Sequence, residues 1–279
     1  MKLTFPKYFI LLLASLLFFS GCQLIDFPTL IAAANNNQPT LQAPTHPMRT
    51  YRDAISVGYS DYHREHGYVK VTLDFANDTF RTVSIKSFDS LGRPKNDYYD
   101  YEPHQTALGL SLRLRTLGPG RISQLEGVSG ATTTVNAIKQ AARRAEEKAR
   151  FRQEESKSYY DGTFVGVSDR ILRGWTIAVI TIRNDRLEHL MFTGVGPATA
   201  YQADGTTQEL LDDQQNFIYT AKGPDYPWRS YHQAITELEK RYVEVGWENL
   251  DVVDTVSRAT VTSTEAKIAL QRALEAAKR

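Results

Sequence analysis

The chain contains the same motif order twice. Tyr51–Asp61 reads YRDAISVGYSD and Tyr159–Asp169 reads YYDGTFVGVSD, so Tyr, Asp, Val, Gly, Ser and Asp recur in register, all at the offset that carries Tyr51 onto Tyr159. A second pair of segments, GVSGATTT over 127–134 and TVSRATVTS over 255–263, recurs at the larger offset that carries Thr132 onto Thr260. Self-similarity of this kind marks one structural unit used twice, and it restricts the fold to arrangements in which each half has the same element order. Two strand-like apolar runs follow each opening segment: Tyr68–Phe75 and Thr82–Phe88 in the first copy, Trp175–Ile182 and Leu187–Phe192 in the second. Asn77-Asp78 and Asn184-Asp185 lie between the runs, and these residue types tolerate the positive φ of a tight hairpin turn. Each closing segment leads into an Ala-rich stretch with Lys and Arg at amphipathic helical spacing. The expected fold class is therefore α+β, each copy being a small antiparallel sheet packed with a closing amphipathic helix, over 51–150 and 159–279.

Because the closing segments lie farther apart than the opening ones, the second copy must carry an insertion. It is expected in the stretch containing Gln214 to Trp247, where Ala234, Ile235, Leu238 and Tyr242 give a helical pattern over Tyr231–Val243. The charged run from Glu146 to Ser158 is expected to be a solvated face extending the first closing helix.

With 42% hydrophobic and 23% charged residues the chain is globular. Its 33 basic and 32 acidic side chains leave a formal charge of +1, too little to neutralise a row of nucleic-acid phosphates, so nucleic acid is not an expected partner. The single cysteine excludes an internal disulfide or a site built from several thiolates. That cysteine follows Lys2, Lys7 and an apolar run from Phe9 to Phe19, the pattern of a secretory signal, and the run is short for a membrane span. Phe19-Ser20-Gly21-Cys22 resembles the bacterial lipobox, with Phe19 in the place usually held by Leu. The resemblance implies a lipoprotein signal peptide over 1–21, acylation of Cys22 and a tether over 22–50, in which Pro39, Pro44 and Pro47 mark a spacer. An uncleaved anchor is the alternative. Cleavage would leave 22–279 and, with Lys2 and Lys7 removed, turn the small positive charge into an equally small negative one. The expected location is extracytoplasmic, on a bacterial membrane, held by more than one acyl chain.

The closing segments carry the chemistry. A threonine at a turn into a helix places its hydroxyl beside unpaired amide N–H groups at the positive end of the helix dipole, where a phosphate is stabilised. The same residues, with Thr134 and Ser263, also suit simple helix capping, and both readings stand at this level. Ser129-Gly130-Ala131-Thr132, preceded by Glu126, and Ser257-Arg258-Ala259-Thr260, preceded by Asp254, resemble the Asp-x-x-Ser-Gly-Ala-Thr signature of FMN-binding domains. That family includes the flavin subunits of sodium-translocating quinone reductases. The opening from Tyr159 to Gly166 also fits it, and the likeness spans both copies.

The resemblance implies two tandem FMN-binding domains and FMN joined to threonine by a phosphoester. It also implies a separate magnesium-dependent flavin transferase that installs the cofactor, and membrane or extracellular redox partners. The implied cofactor-binding residues are Glu126, Ser129, Gly130, Ala131 and Thr132, and Asp254, Ser257, Ala259 and Thr260. The role implied is that of an electron-transfer flavoprotein or redox subunit rather than a stand-alone catalyst. A flavin-free accessory or ligand-binding lipoprotein that keeps the scaffold is the competing class. The copies depart from the signature differently: Glu126 replaces Asp and Ala54 the opening Gly in the first, and Arg258 replaces Gly in the second. If position 258 needs a left-handed backbone, Arg there costs roughly 1 to 2 kcal/mol. Arg258 either blocks attachment or pairs with the phosphate, and Thr132 is the favoured attachment point.

Other patterns are weaker. Ala131 stands where a nucleophile elbow needs its second Gly, so a serine hydrolase is not expected. Gly118-Pro119-Gly120 reads as a turn. His63 and His66 lack an evident third metal ligand, and no metal site is expected. Tyr98, Tyr99 and Tyr101, like Tyr226, Trp228 and Tyr231, either pack or stack on a ring ligand.

Overall fold

A computed structural model describes residues 49–95, 98–151, 157–171, 174–204 and 206–279. Cys22, the apolar run before it and most of the tether lie outside the described residues, as does part of the 146–158 run. The described residues form one compact unit. Among them, no helix is long and apolar enough to cross a membrane.

The first copy opens with β1 (Ile55–Tyr59), β2 (Tyr68–Ala76) and β3 (Thr79–Phe88), an antiparallel sheet in that order. Asn77 and Asp78 make the β2–β3 turn with φ of 51° and 56°, the positive pair that only a few residue types adopt cheaply. The carboxylates around this turn also fasten the chain entry. Asp78 accepts the Tyr51 amide at 2.8 Å, and Asp53 accepts the Asn77 amide at 3.0 Å. Two short helices follow, α1 (Glu102–Leu108) and α2 (Ser111–Leu117), then the closing helix α3 (Thr132–Ala149). Val135, Ile138, Ala141, Ala142, Ala145 and Ala149 recur at helical spacing on α3 and are buried against the sheet. The small alanine face permits a close approach, and Gly58 on β1 completes it. A Cβ at Gly58 would fall inside the carbonyl of Ala141.

The second copy repeats this assembly. It comprises β4 (Gly162–Val167), β5 (Trp175–Arg183), β6 (Arg186–Pro197), β7 (Thr199–Tyr201), β8 (Thr207–Glu209), β9 (Tyr219–Ala221), α4 (Arg229–Val245) and α5 (Thr260–Ala277). The main sheet has the order β4-β5-β6-β9. Asn184 and Asp185 take φ of 50° and 56°, Asp185 accepts the Tyr159 amide, and Asp161 accepts the Asn184 amide. Gly166 lies under Ala269 as Gly58 lies under Ala141. Arg144 bridges the Tyr59 carbonyl and Asp61, and Arg272 makes the same bridge from the Val167 carbonyl to Asp169. The α+β class and the repeat are thus visible bond by bond.

Two expectations need correction. The helix over Tyr231–Val243 is not the insertion. It lies within α4, which takes the place of α1 and α2 at the offset that carries Thr132 onto Thr260. Gly118 and Gly246 end the matching helices with φ/ψ of 74°/177° and 69°/172°. The extra residues therefore precede α4, in the β7–β8 hairpin and β9. The first copy disguises the match because Gly109, at the place of Glu237, separates α1 from α2. Nor is the 146–158 run solvated from its start: α3 ends at Ala149, and Glu146 is buried. Its carboxylate accepts from the Tyr51 hydroxyl and, at 2.8 Å, from the Gly120 amide.

A shared core joins the copies. Residues 176–180 of β5 are all buried, which an antiparallel strand shows only when both sheet faces are covered. One face meets α5 and α4. The other puts Val165, Ile177 and Val179 against Tyr68, with Phe88 and Leu91 alongside. Trp175 Nε1 donates to the Leu91 carbonyl at 2.9 Å across this junction.

Candidate functional site

The turn before α3 is shaped by Gly130 and Ala131. Gly130 has φ +78°, and a Cβ there would crowd the Tyr101 hydroxyl at 3.1 Å and Pro103 Cγ at 3.2 Å, so both backbone conformation and space call for glycine. Ala131 takes the N-cap position with φ −125°, ψ 29°, and no side chain caps the helix. This corrects the capping reading. Ser129 and Thr132 are exposed, and Thr134 Oγ1 lies 3.0 Å from His104 Nδ1. In the second copy Ser263 accepts the Val256 amide and donates to the Ala259 carbonyl, without capping α5. Among the described residues no side chain accepts from the first-turn amides of α3, which form the positive end of a long helix.

Beside this helix start lies a cavity of about 970 Å³. Lys95, Tyr99, Tyr101 and His104 form one wall and Gly130, Ala131, Thr133 and Thr134 the next. The cavity continues along α3 past Lys139 and Arg143 to Tyr160 of the second copy. Of the residues expected at the site, Gly130 and Ala131 line it. Thr132, the first residue of α3, is exposed and sits between lining residues; Ser129 and Glu126 are exposed outside the lining, and Glu126 pairs with Arg113. Tyr99 and Tyr101 line the cavity, whereas the Tyr98 hydroxyl donates to Asp89 at 2.6 Å.

His104 is the site residue that sequence reasoning missed. It is 3% exposed, its Nε2 is buried with no partner among the described residues, and Tyr99 stands edge-on to its ring at 5.0 Å. Burial, helped by the charge of Lys95, lowers its pKa to about 4. The available signal was its recurrence as His232, at the same offset as the closing segments. Because the folded state holds this imidazole neutral while the unfolded chain protonates it near 6.5, the stability is present above that value and is lost as pH falls toward 4. At about 1.4 kcal/mol per pH unit, the loss is at most roughly 3 kcal/mol. Urea unfolding from pH 7 to 4 is expected to show a steeper decline for the wild type than for His104→Gln; parallel curves would contradict the assignment.

The second copy keeps the turn and changes the site. Arg258 has φ +64°, in the left-handed conformation of Gly130, and Ala259 repeats the Ala131 geometry at φ −136°, ψ 36°. Arg258→Gly relieves this and is expected to stabilise the protein by about 1 kcal/mol, read as a higher urea midpoint; an unchanged or lower midpoint would show that Arg258 makes a compensating contact. The neighbouring cavity is smaller, about 510 Å³. Val261, Thr262 and Glu265 line it, while Asp254, Ser257, Ala259 and Thr260 do not. Glu265 occupies the place of Ala137 and is buried; it accepts from the Thr176 hydroxyl at 2.9 Å, and burial pushes its carboxyl upward. His232 Nε2 lies 2.9 Å from the Tyr226 carbonyl, and the Tyr231 hydroxyl accepts the Gly194 amide at 2.7 Å. Lys222 sits over the Tyr226 and Tyr231 rings, and Trp228 is exposed. Tyr226 and Tyr231 are thus committed to packing and internal contacts.

The structure supplies the third partner missing from the His63/His66 pair. Glu65 joins them, with the three ligand atoms within 4.8 Å of one another. All three residues are exposed, the two imidazoles stack at 4.6 Å, and His63 Nδ1 accepts the Glu65 amide at 3.2 Å. No family model, curated protein or solved structure matches the chain.

Proposed function

We propose that this protein is a membrane-anchored, extracytoplasmic flavoprotein built on two tandem FMN-binding domains, carrying electrons through FMN attached to Thr132 by a phosphoester. The observation that supports this reading is the uncapped start of α3 beside a cavity of about 970 Å³, within the size range of cofactor pockets. A phosphate on Thr132 would stand at the start of α3, where the first-turn amides would supply hydrogen-bond donors and the favourable end of the helix dipole. Gly130 lets the turn close against Tyr101. Lys95 and Lys139 bring positive charge to the cavity wall, and Tyr99 and Tyr101 offer aromatic surface to a ring. Bound FMN would supply transfer of one or two electrons; the chain's contribution is attachment, orientation and exclusion of water.

The second copy favours the competing, flavin-free reading for itself. Arg258 strains the turn, and Glu265 brings a carboxylate into the smaller cavity. The cofactor is assigned to the first domain, with the second as a packing or docking module. Coexpression of the full chain with a flavin transferase tests this. The wild type is expected to gain one FMN increment by intact mass and to keep its flavin absorbance after denaturation. No increment would leave the flavin-free accessory lipoprotein as the function, and two would refute the division of roles.

A further inference from the structure

We propose that His104 is the ring-recognition residue of the first cavity, its Nε2–H donating a hydrogen bond to a carbonyl on the edge of a planar heteroaromatic ligand. This rests on the flavin reading, in which that acceptor is the carbonyl-bearing half of the isoalloxazine. His104 belongs to the cavity wall, is 3% exposed, and has a buried Nε2 with no partner among the described residues. A buried nitrogen left unmatched costs free energy, and interiors rarely keep one without a reason. The other nitrogen is fixed. Nδ1 lies 3.0 Å from the Thr134 hydroxyl, and with that hydroxyl as the donor, the arrangement the proposal adopts, the imidazole hydrogen sits on Nε2. Thr134 lies in the same first turn of α3 as Thr132, so one helix end sets both the tether and the donor.

The second copy provides an internal comparison. His232 holds the matching position, but its Nε2 is engaged by the Tyr226 carbonyl, and that cavity is about half the volume. An unsatisfied nitrogen is therefore not a general consequence of this fold; it accompanies the larger cavity. Nε2 is shielded from water, so a ligand reaches it only if a neighbouring side chain moves, and Tyr99, whose ring meets the imidazole at 5.0 Å, is an adjacent residue of the cavity lining.

The test uses the full chain in detergent, produced without a flavin transferase and titrated with riboflavin, which presents the ring without the phosphate. His104→Leu is expected to weaken binding about tenfold, the usual effect of losing one hydrogen bond into a buried site. His104→Gln, which keeps an N–H donor, should recover part of that loss. Thr134→Val frees the ring orientation while leaving the imidazole packed, and should weaken binding by less than His104→Leu. His232→Leu should leave affinity unchanged. Thermal melts of each variant identify any that has lost its fold, in which case Thr134→Val and His104→Gln carry the comparison. Wild-type affinity in His104→Leu, or no riboflavin binding by a wild type that still acquires the FMN mass with a transferase, overturns the role of His104 and leaves the flavin reading standing. A wild type that neither binds riboflavin nor gains the mass overturns both.

Discussion

Thr132→Val is expected to abolish covalent FMN while leaving the fold intact. Valine is nearly isosteric with threonine but has no oxygen, so the phosphoester cannot form. The position is exposed and its hydroxyl caps nothing, so removing it withdraws no hydrogen bond that stabilises α3. The stability change should fall within about 0.5 kcal/mol, as for a surface substitution away from caps and cores. The full chain, coexpressed with a flavin transferase, should lose the entire FMN increment and the denaturation-resistant absorbance while its urea midpoint stays near that of the wild type. An increment that survives would place the attachment elsewhere; Thr133 and Thr134 in the same turn are the adjacent hydroxyls, and Thr134 is engaged with His104.

Cys22→Ala should have an equally large effect, on location. Residue 22 lies outside the described structure, and the expectation follows from the Phe19–Cys22 pattern. Each buried acyl methylene contributes about 0.8 kcal/mol, so two or more chains hold a protein to a bilayer and their loss releases it. Fractionation should move the variant from membranes to the soluble extracytoplasmic pool, or show an unprocessed precursor. A variant that is processed and remains membrane-bound would contradict lipid anchoring through this cysteine.

What could be read from the sequence was what the backbone needs locally. The Asn-Asp turns appear at both hairpins because two consecutive positive φ values restrict residue choice in a visible way, and the matched positions of Gly58 and Gly166 reflect a helix lying too close for a Cβ. Arg258 was legible as a departure, and its left-handed φ shows that the turn geometry is imposed by the fold and does not depend on glycine being present. The hidden features depend on residues distant in sequence. His104 matters because Thr134 holds one nitrogen and no described residue holds the other, which no local pattern records. Glu265 is an ordinary glutamate in a helical stretch until burial against Thr176 is known. The insertion was misplaced because helical periodicity reports a helix without reporting that Gly109 has split its counterpart in the other copy.

Both segments at issue fall in separate tryptic peptides, 122–139 with Thr132 and 259–267 with Thr260. Peptide mapping of the protein purified from the membranes of its own host is the most direct test of the central claim. The account predicts the FMN increment on peptide 122–139, localised to Thr132 by fragmentation, with peptide 259–267 unmodified. An unmodified 122–139 peptide in protein from a host that flavinylates other targets would contradict it.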